Sequence, residues 1–260
     1  MEYSFIVETN GDKRYEYLLR DFQEAGYEAF RFGEQGDRQS GDAAVYVFTP
    51  TYSFTDDTLR TVGERSTVFG FVAGESTAEL FRSKSIRFVN VFSGERFAYR
   101  NAAITADGAL MLTAENTEIT FKEMSVLVVG FGRVGKAVAK IFKSVGAATD
   151  VVTFDSKECA EAVLTADRQF SSFENIRFDR YDAVINTVPA PLLNKHITAR
   201  FRDGAFLLEL ASEPGGFDKS AVKRKGLTFL HASGLPSKAA PKTAARILFE
   251  EIAEYLKLDV

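Results

Sequence analysis

Cysteine, histidine and tryptophan are scarce or absent in this chain of 260 residues. Cys159 is the only cysteine, which excludes an intrachain disulfide and a cysteine-based metal cage. The two histidines, His196 and His231, lie far apart, and neither has a second metal-type ligand at helical spacing. The sequence therefore predicts no metal site, and we expect a reducing compartment, by default the cytoplasm.

An excess of positive charge is also missing. The chain has 32 basic and 36 acidic residues, a formal net charge of −4, so it lacks the basic field that nucleic-acid binding normally requires. No apolar run approaches the length of a membrane span, and the first residues lack the features of a signal peptide. We expect a folded protein with no nucleic-acid partner and no membrane association.

Short apolar runs alternate with helical stretches in the first hundred residues. Strands are predicted at 5–7, 43–48, 68–71 and 86–89, with a helix at 13–24, a pattern typical of a small α/β layer. We assign 1–100 to a smaller, flavodoxin-like α/β domain and 101–121 to a connecting helix and linker. A final helix at about 239–257 has one apolar face and is expected to pack on the first domain or on a partner subunit.

A clearer strand–helix–strand rhythm begins after Lys122. The apolar strand 126–129 is followed by apolar residues at helical spacing from 134 to 145. Further strands are predicted at 150–154, 183–187, 205–210 and 227–230, with helices around 192–201 and 218–225. These strands predict a Rossmann-type, doubly wound parallel sheet over 122–238.

A glycine-rich loop joins strand 126–129 to its helix. Gly130, Gly132 and Gly135 allow a tight turn and a close backbone approach, and the helix N-terminus offers N–H groups to an anion. Together with the intervening Arg133 and Val134, they are predicted to hold the pyrophosphate of a nicotinamide dinucleotide. The alternative is that the glycines only permit the strand and the helix to pack.

Asp155 follows the next strand, at the separation from the glycine loop where an acidic residue binds the adenosine ribose. Its charge would repel a 2′-phosphate, which favours NAD over NADP. Ser156 and Lys157 follow at once and could hold a phosphate, so NADP remains an alternative.

The residues at the end of strand 183–187 lie where Rossmann ligands bind. Asn186, Thr187 and Pro189 are predicted to contact the ribose or the nicotinamide, the alternative being a turn that only ends the strand.

Two later segments are candidates for binding a small anionic substrate. Ser212 and the turn at Gly215 and Gly216 follow strand 205–210, and glycines are costly there unless the backbone must reach something; the alternative is an ordinary tight turn. Lys242 and Thr243, near the start of the final helix, could present an ammonium and backbone N–H groups. The alternative is a surface lysine on a capped helix.

A series of motifs runs in order from residue 101 to residue 248: Asn101 with Thr105 and Gly108, the glycine loop 130–135, 185–189, 210–212, 214–216 with Asp218, 234–236, and 240–244 with Ile247 and Leu248. In this series the chain resembles the A subunit of dipicolinate synthase, a sporulation enzyme family of Gram-positive bacteria. The resemblance departs at Glu213, where the family tends to have an arginine, and at His231, where it has an apolar residue. It also departs at Asp107, where a glutamate is usual, and at Phe154, which fills a position of an arginine in the family.

The resemblance implies a two-domain, dehydrogenase-like subunit that acts with a flavoprotein partner, the B subunit of the synthase. It implies oxidation of a dihydrodipicolinate-type precursor, from a branch of lysine biosynthesis, to dipicolinate with a nicotinamide cofactor.

The motif positions also suggest a role for each residue. Lys242, helped by Thr105 and the turn at Gly215 and Gly216, would hold a substrate carboxylate. Asn101 would orient the ring and Asp107 would act as the base. Gly234 would contact the substrate.

Two other interpretations stay open. One is another NAD(P)-dependent two-domain oxidoreductase of small carboxylic acids, although the Arg, Glu and His trio common in such enzymes is not evident here. The other is a non-catalytic, NAD-binding regulatory subunit. The chain could also form a homo-oligomer.

Overall fold

The computed structural model describes residues 3–34, 44–71 and 75–258. The chain forms two compact units: unit 1 comprises Met1–Asn101 and Pro236–Val260, and unit 2 comprises Ala102–Leu235. Each unit is built on one parallel sheet, which confirms the predicted α/β class. Among the helices of the described ranges, none is long and apolar enough to cross a bilayer.

Unit 1 has a five-stranded parallel sheet in the order β2-β1-β3-β4-β5. This is the flavodoxin-like order, as predicted. In chain order its elements are β1 (Ser4–Val7), α1 (Lys13–Glu24), β2 (Glu28–Arg31), β3 (Val45–Val47), α2 (Asp56–Thr61), β4 (Thr67–Phe69), α3 (Glu75–Ser83), β5 (Arg87–Val89) and the start of α4 (Glu95–Glu115).

Strand β2 was not predicted from the sequence, and the start of α4 was placed too late. The strand Glu-Ala-Phe-Arg has charged residues at both ends and no apolar run, so only its parallel pairing with β1 makes it a strand. Helix α4 begins at Glu95 rather than near residue 101. Residue 43, where the second predicted strand starts, lies outside the described residues.

Unit 2 has a six-stranded parallel sheet in the order β11-β10-β9-β6-β7-β8. This is the doubly wound Rossmann order, which confirms the prediction. Its elements are β6 (Ser125–Val129), α5 (Arg133–Ser144), β7 (Ala148–Val152), α6 (Ser156–Ala162), β8 (Arg168–Phe170), β9 (Ala183–Asn186), α7 (Lys195–Thr198), β10 (Phe206–Glu209), α8 (Lys219–Lys225) and β11 (Thr228–His231).

The edge strand β8 was not predicted because it is short and begins with a charged residue. Arg168 in this strand forms an ion pair with buried Asp150 of β7, at 3.0 Å between Nη2 and Oδ2. The Tyr181 hydroxyl donates to the same Oδ2 at 2.7 Å. Burial raises the pKa of Tyr181, and the hydrogen bond to Asp150 adds to the rise.

The predicted helix at 192–201 is wrong in length, since only Lys195–Thr198 is helical. Asn194 is the cap, its Oδ1 accepting from the N–H groups of His196 and Ile197. Leu193 cannot join the helix because it forms a parallel bridge with Phe217.

The predicted closing helix consists of two helices, α9 (Leu235–Ala239) and α10 (Pro241–Leu256). Ala240 separates them with a φ of −145° and a ψ of 66°, outside the helical region, which is disfavoured for the residue before a proline. Within unit 1, α10 packs on α1, where the rings of Phe249 and Phe22 have centroids 5.2 Å apart. Phe22 in turn stacks on Phe5 of β1, with centroids 3.9 Å apart.

Candidate functional site

A cleft of about 450 Å³ opens in unit 2 where β6, β7 and β9 end. The carboxyl edge of a doubly wound sheet is the usual place for a ligand. The loops after these strands and the first turns of α5 and α6 contribute its lining, which comprises residues 130–135, Thr153, Phe154, Asp155, Glu158, Thr187, Val188 and Pro189.

Two of the three loop glycines are required by the packing of the protein itself. Gly130 has φ of +92°, and a Cβ there would lie 2.5 Å from Oγ1 of Thr187. A Cβ on Gly135 would lie 2.2 Å from the carbonyl oxygen of Gly130. Packing within the protein therefore requires glycine at positions 130 and 135, and both residues also line the cleft.

Gly132 differs, because the nearest atom to a Cβ built there is Oε1 of Glu158, 3.6 Å away. Gly132 is also the N-cap of α5, and no side chain of the described residues caps that helix. An uncapped helix N-terminus beside an open glycine is suited to a phosphate, since N–H groups and the positive end of the helix dipole face it. The residues of this loop thus fit the pyrophosphate of a dinucleotide.

Asp155 is an exposed residue with a structural contact of its own. It is the N-cap of α6, and its Oδ1 accepts a hydrogen bond from the Glu158 N–H at 2.9 Å. Asp155 also lines the cleft, and its contact with the adenosine ribose stays a prediction. The same hydrogen bond sets the position of Glu158, which no sequence pattern singled out.

The three residues predicted at the end of β9 divide between the cleft and the core. Thr187 and Pro189 line the cleft, and the Thr187 hydroxyl donates to the carbonyl of Val129 at 2.9 Å. Asn186 is 0% exposed. Its Nδ2 donates to Oε1 of Glu209 at 2.7 Å and to the carbonyl of Val188 at 2.9 Å. Asn186 is thus placed to stabilise the loop that follows β9, and its buried side chain does not reach the cleft.

The turn at Gly215 and Gly216 binds a carboxylate of the protein itself. The Gly216 N–H donates to Oε2 of buried Glu209 at 2.7 Å, and the Ala211 N–H donates to Oε1 at 3.0 Å. The Gly215 N–H donates to the carbonyl of Ser212 at 2.9 Å. These contacts correct the predicted substrate contact, because both N–H groups of the turn already have intramolecular acceptors.

The glycines of this turn are explained by Glu209. A Cβ on Gly215, whose φ is +75°, would lie 2.8 Å from Oε2 of Glu209. A Cβ on Gly216 would lie 2.4 Å from Nδ2 of Asn186. Glu209 was missed by sequence reasoning, although a charged residue ending the apolar strand Phe-Leu-Leu-Glu was a signal.

Glu213, the charge-reversed position, has two basic neighbours. Its carboxylate lies 2.9 Å from Nζ of Lys219 and 3.4 Å from Nδ1 of His231. Lys219 and, more weakly, His231 hold the pKa of Glu213 below its usual range. The added negative charge is therefore balanced locally, beside an exposed Ser212.

The other candidate substrate residues are distributed over both units. Unit 2 contains half-buried Thr105, exposed Asp107 and exposed Gly234. Unit 1 contains Asn101, half-buried Thr243 and exposed Lys242. Burial raises the pKa of Asp21 on α1, and the positive charges of Lys242 and Arg246 oppose that rise.

No group of three or more His, Cys, Asp or Glu residues in the described ranges is arranged to hold a metal ion. Cys159 is free, and its Sγ donates to the carbonyl of Thr153 at 3.1 Å.

Comparison with known proteins agrees with the geometry of the cleft. An NAD(P)-binding family model matches residues 118–218, which include the glycine loop. The dipicolinate synthase A subunit of Bacillus subtilis (strain 168) is 32% identical over 171 residues, covering 65% of this chain and 58% of that protein. The chain is similar to the A subunit of dipicolinate synthase. This similarity confirms the resemblance seen in the sequence motifs. The aligned region spans less than two thirds of the length of that relative.

Solved structures show the same fold over nearly the whole chain. The dipicolinate synthase A subunit from Bacillus halodurans has a TM-score of 0.85 at 22% identity, covering 99% of this chain and 98% of its own. The transhydrogenase from Sinorhizobium meliloti has a TM-score of 0.73 at 12% identity, covering 98% and 93%. The fold is therefore shared by the dipicolinate synthase A subunit and by a transhydrogenase with little sequence similarity to this chain.

Proposed function

We propose that this chain is the nicotinamide-dependent subunit of a dipicolinate synthase, oxidising a dihydrodipicolinate-type precursor to dipicolinate. The observation that carries the proposal is the open position at Gly132 before an uncapped helix, in a chain similar to the dipicolinate synthase A subunit. In the proposed complex Gly132, Arg133 and Val134 hold the pyrophosphate, Asp155 holds the adenosine ribose, and Thr187 and Pro189 line the remaining cleft.

The proposed reaction sets the roles of the other residues. Converting a dihydropyridine dicarboxylate to an aromatic ring requires removal of a hydride and a proton, with both carboxylates held in place. The nicotinamide ring, when bound, supplies the hydride acceptor. For this chain's residues we propose Asp107 as the base, Asn101 as the group that orients the ring, and Lys242 as a cation for a substrate carboxylate.

Four further residues are proposed to contact the substrate through hydroxyl or backbone groups: Thr105, Ser212, Gly234 and Thr243. These assignments are supported by the positions of the four residues in the motif series. Ser212 and Gly234 are exposed, which agrees with a contact to a ligand. The turn at Gly215 and Gly216 does not bind the substrate in this proposal, because the Gly216 N–H donates to Glu209.

The proposed setting follows from the resemblance. We propose a cytoplasmic protein that acts during sporulation on a branch of lysine biosynthesis. Its proposed partner is a flavoprotein, the B subunit of the synthase, in line with the name of the relative, which is one subunit of that enzyme. Self-association into a homo-oligomer is the other arrangement to be tested.

Calorimetric titration of the purified chain with NAD and NADP, with and without dipicolinate, tests the proposal. We expect one of the two cofactors to bind and dipicolinate to bind to the cofactor complex. Binding of neither cofactor would contradict the dinucleotide site, and failure of dipicolinate to bind would count against the substrate. Activity measured alone and with the flavoprotein then separates an enzyme from a regulatory subunit.

A further inference from the structure

Glu158 is an acidic side chain that extends from the first turn of α6 to the glycine loop. Its Oε2 accepts hydrogen bonds from the Phe131 N–H at 3.2 Å and from the Thr153 hydroxyl at 2.5 Å. Its Oε1 would lie 3.6 Å from a Cβ added to Gly132. The carboxylate therefore lies beside Phe131 and Gly132 of the glycine loop, on the lining of the cleft.

The position of Glu158 is determined by Asp155. As the N-cap of α6, Asp155 accepts from the Glu158 backbone N–H, which places the two acidic residues on the same wall of the cleft. Of the four consecutive residues 155–158, all of them described, Asp155 and Glu158 line the cleft whereas Ser156 and Lys157 do not. The wall beside the glycine loop thus presents two carboxylates, and the nearby lysine is not part of it.

We propose that Glu158 is a second cofactor-selecting residue, which together with Asp155 makes the wall beside Gly132 reject a dinucleotide carrying a 2′-phosphate. This inference rests on the proposed function, because it assumes that a nicotinamide dinucleotide binds in this cleft. A phosphate monoester carries nearly two negative charges at neutral pH, and like charges in a partly desolvated cleft repel strongly. A ribose with free hydroxyls can instead donate hydrogen bonds to carboxylates.

The variant Glu158→Gln separates charge from structure. Glutamine keeps an oxygen that can accept from the Phe131 N–H and the Thr153 hydroxyl, but it has no negative charge. The matched control is Glu161→Gln on the same helix, because Glu161 pairs with Lys136 and is not part of the cleft lining. Both variants change the net charge by the same amount.

The experiment measures Kd for NAD and for NADP on the full chain by calorimetry, with thermal unfolding as a check that each variant folds. We expect the wild type to bind NAD more tightly than NADP. Glu158→Gln should tighten NADP binding about tenfold and change NAD binding less than threefold, and Glu161→Gln should leave the ratio of the two constants unchanged.

Several results would overturn the inference. One is a wild type that binds NADP more tightly than NAD. Another is a Glu158→Gln variant in which the ratio of the two Kd values changes less than twofold, or changes no more than in Glu161→Gln. The last is a Glu158→Gln variant that loses affinity for NAD and NADP equally. In each of these cases a dinucleotide still binds the wild type, so the proposed function stands. If the wild type binds neither cofactor, both the inference and the proposed function fail.

Discussion

Nδ2 of Asn186 donates a hydrogen bond to Oε1 of Glu209 at 2.7 Å, and both residues are almost fully buried. The pair joins the ends of β9 and β10, which lie side by side in the sheet of unit 2. Glu209 has three further donors, the N–H groups of Ala211, Gly216 and Phe217, the last at 3.4 Å. A buried carboxylate is tolerated only when it is well hydrogen-bonded, so this network supports the loops that follow both strands.

Replacing Asn186 with Asp should destabilise the protein strongly. The substitution keeps the shape of the side chain but places a second carboxylate against Glu209. We expect a loss of about 3 kcal/mol or more in the free energy of unfolding, measured by urea denaturation at neutral pH. Asn194→Asp is the matched control, since an aspartate caps a helix as well as an asparagine. Equal unfolding free energies for the two variants would contradict the prediction.

Alanine at Gly132 and alanine at Gly135 should have different effects. Gly132 has room for a Cβ and a φ of −66°, so Gly132→Ala should fold normally and lose at least about tenfold in dinucleotide affinity, because the methyl group fills the space for the phosphates. Gly135→Ala should lower the free energy of unfolding by about 1–3 kcal/mol through overpacking against Gly130. Calorimetry and thermal unfolding of the two variants distinguish these effects. A stable Gly135→Ala protein would be inconsistent with the backbone contact.

Phe22 should be a large contributor to the stability of unit 1. Its ring is fully buried between Phe5 and Phe249. Truncation to alanine should cost about 3–5 kcal/mol, as measured by chemical denaturation. Tyr99→Ala, at a ring that is 49% exposed, should cost far less. Similar losses in the two variants would show that the ring stack is not the source of stability.

Asp167 should make stability depend on acidity. The hydrogen-bonded Lys143 ammonium holds the pKa of this carboxyl below its usual 3.8, and the Thr149 N–H adds to the effect. Because the folded form binds fewer protons, the contribution is present above about pH 5 and is lost as the pH falls through the lowered pKa. The side chains of Lys143 and Asp167 are 37% and 43% exposed. The contribution of the pair to the free energy of unfolding should therefore be below about 1 kcal/mol.

Unfolding of the wild type and of Asp167→Asn at pH 7 and at pH 3 checks this prediction. The stability difference between the two proteins should be larger at pH 7. Asp203→Asn, at an exposed carboxylate, controls for the change in charge. A difference that grows toward pH 3 would have the opposite sign to the one expected from the lowered pKa.

Lys242→Ala and Asn101→Ala should each lower kcat/KM for oxidation of the dihydrodipicolinate-type precursor, by at least about tenfold, if these residues hold and orient the substrate. Lys195→Ala, at another exposed lysine that begins α7, is the control. Unchanged kcat/KM in both variants would contradict the proposed roles.

The glycine loop could be predicted because its signal is local. An apolar strand, three glycines at fixed spacing and an amphipathic helix follow one another between residues 126 and 145, and each is recognisable without knowing its neighbours in space. The same holds for Asp155, which follows the next strand. The helix predicted at 13–24 is also confirmed, and the structure shows that Asp12 caps it.

The function of the second glycine turn could not be predicted in this way. Gly215 and Gly216 suggested a backbone reaching for a ligand, but the anion they hold is Glu209, six and seven residues earlier on the chain. Asn186 suggested a ligand contact because it lies at the end of a strand, where Rossmann ligands bind. Its true partner became visible only when β9 and β10 were placed side by side.

The sequence by itself determined the two α/β sheets, the glycine loop and the resemblance to the dipicolinate synthase A subunit, because strand and helix periodicity and glycine spacing are properties of contiguous residues. The tertiary structure decided which polar groups face the cleft and which face each other. Strands β2 and β8, the Asn186–Glu209 pair and the contact of Glu158 with the glycine loop all depend on residues distant in sequence. Burial and hydrogen bonding between such residues arise only when the chain is folded, so no local pattern records them.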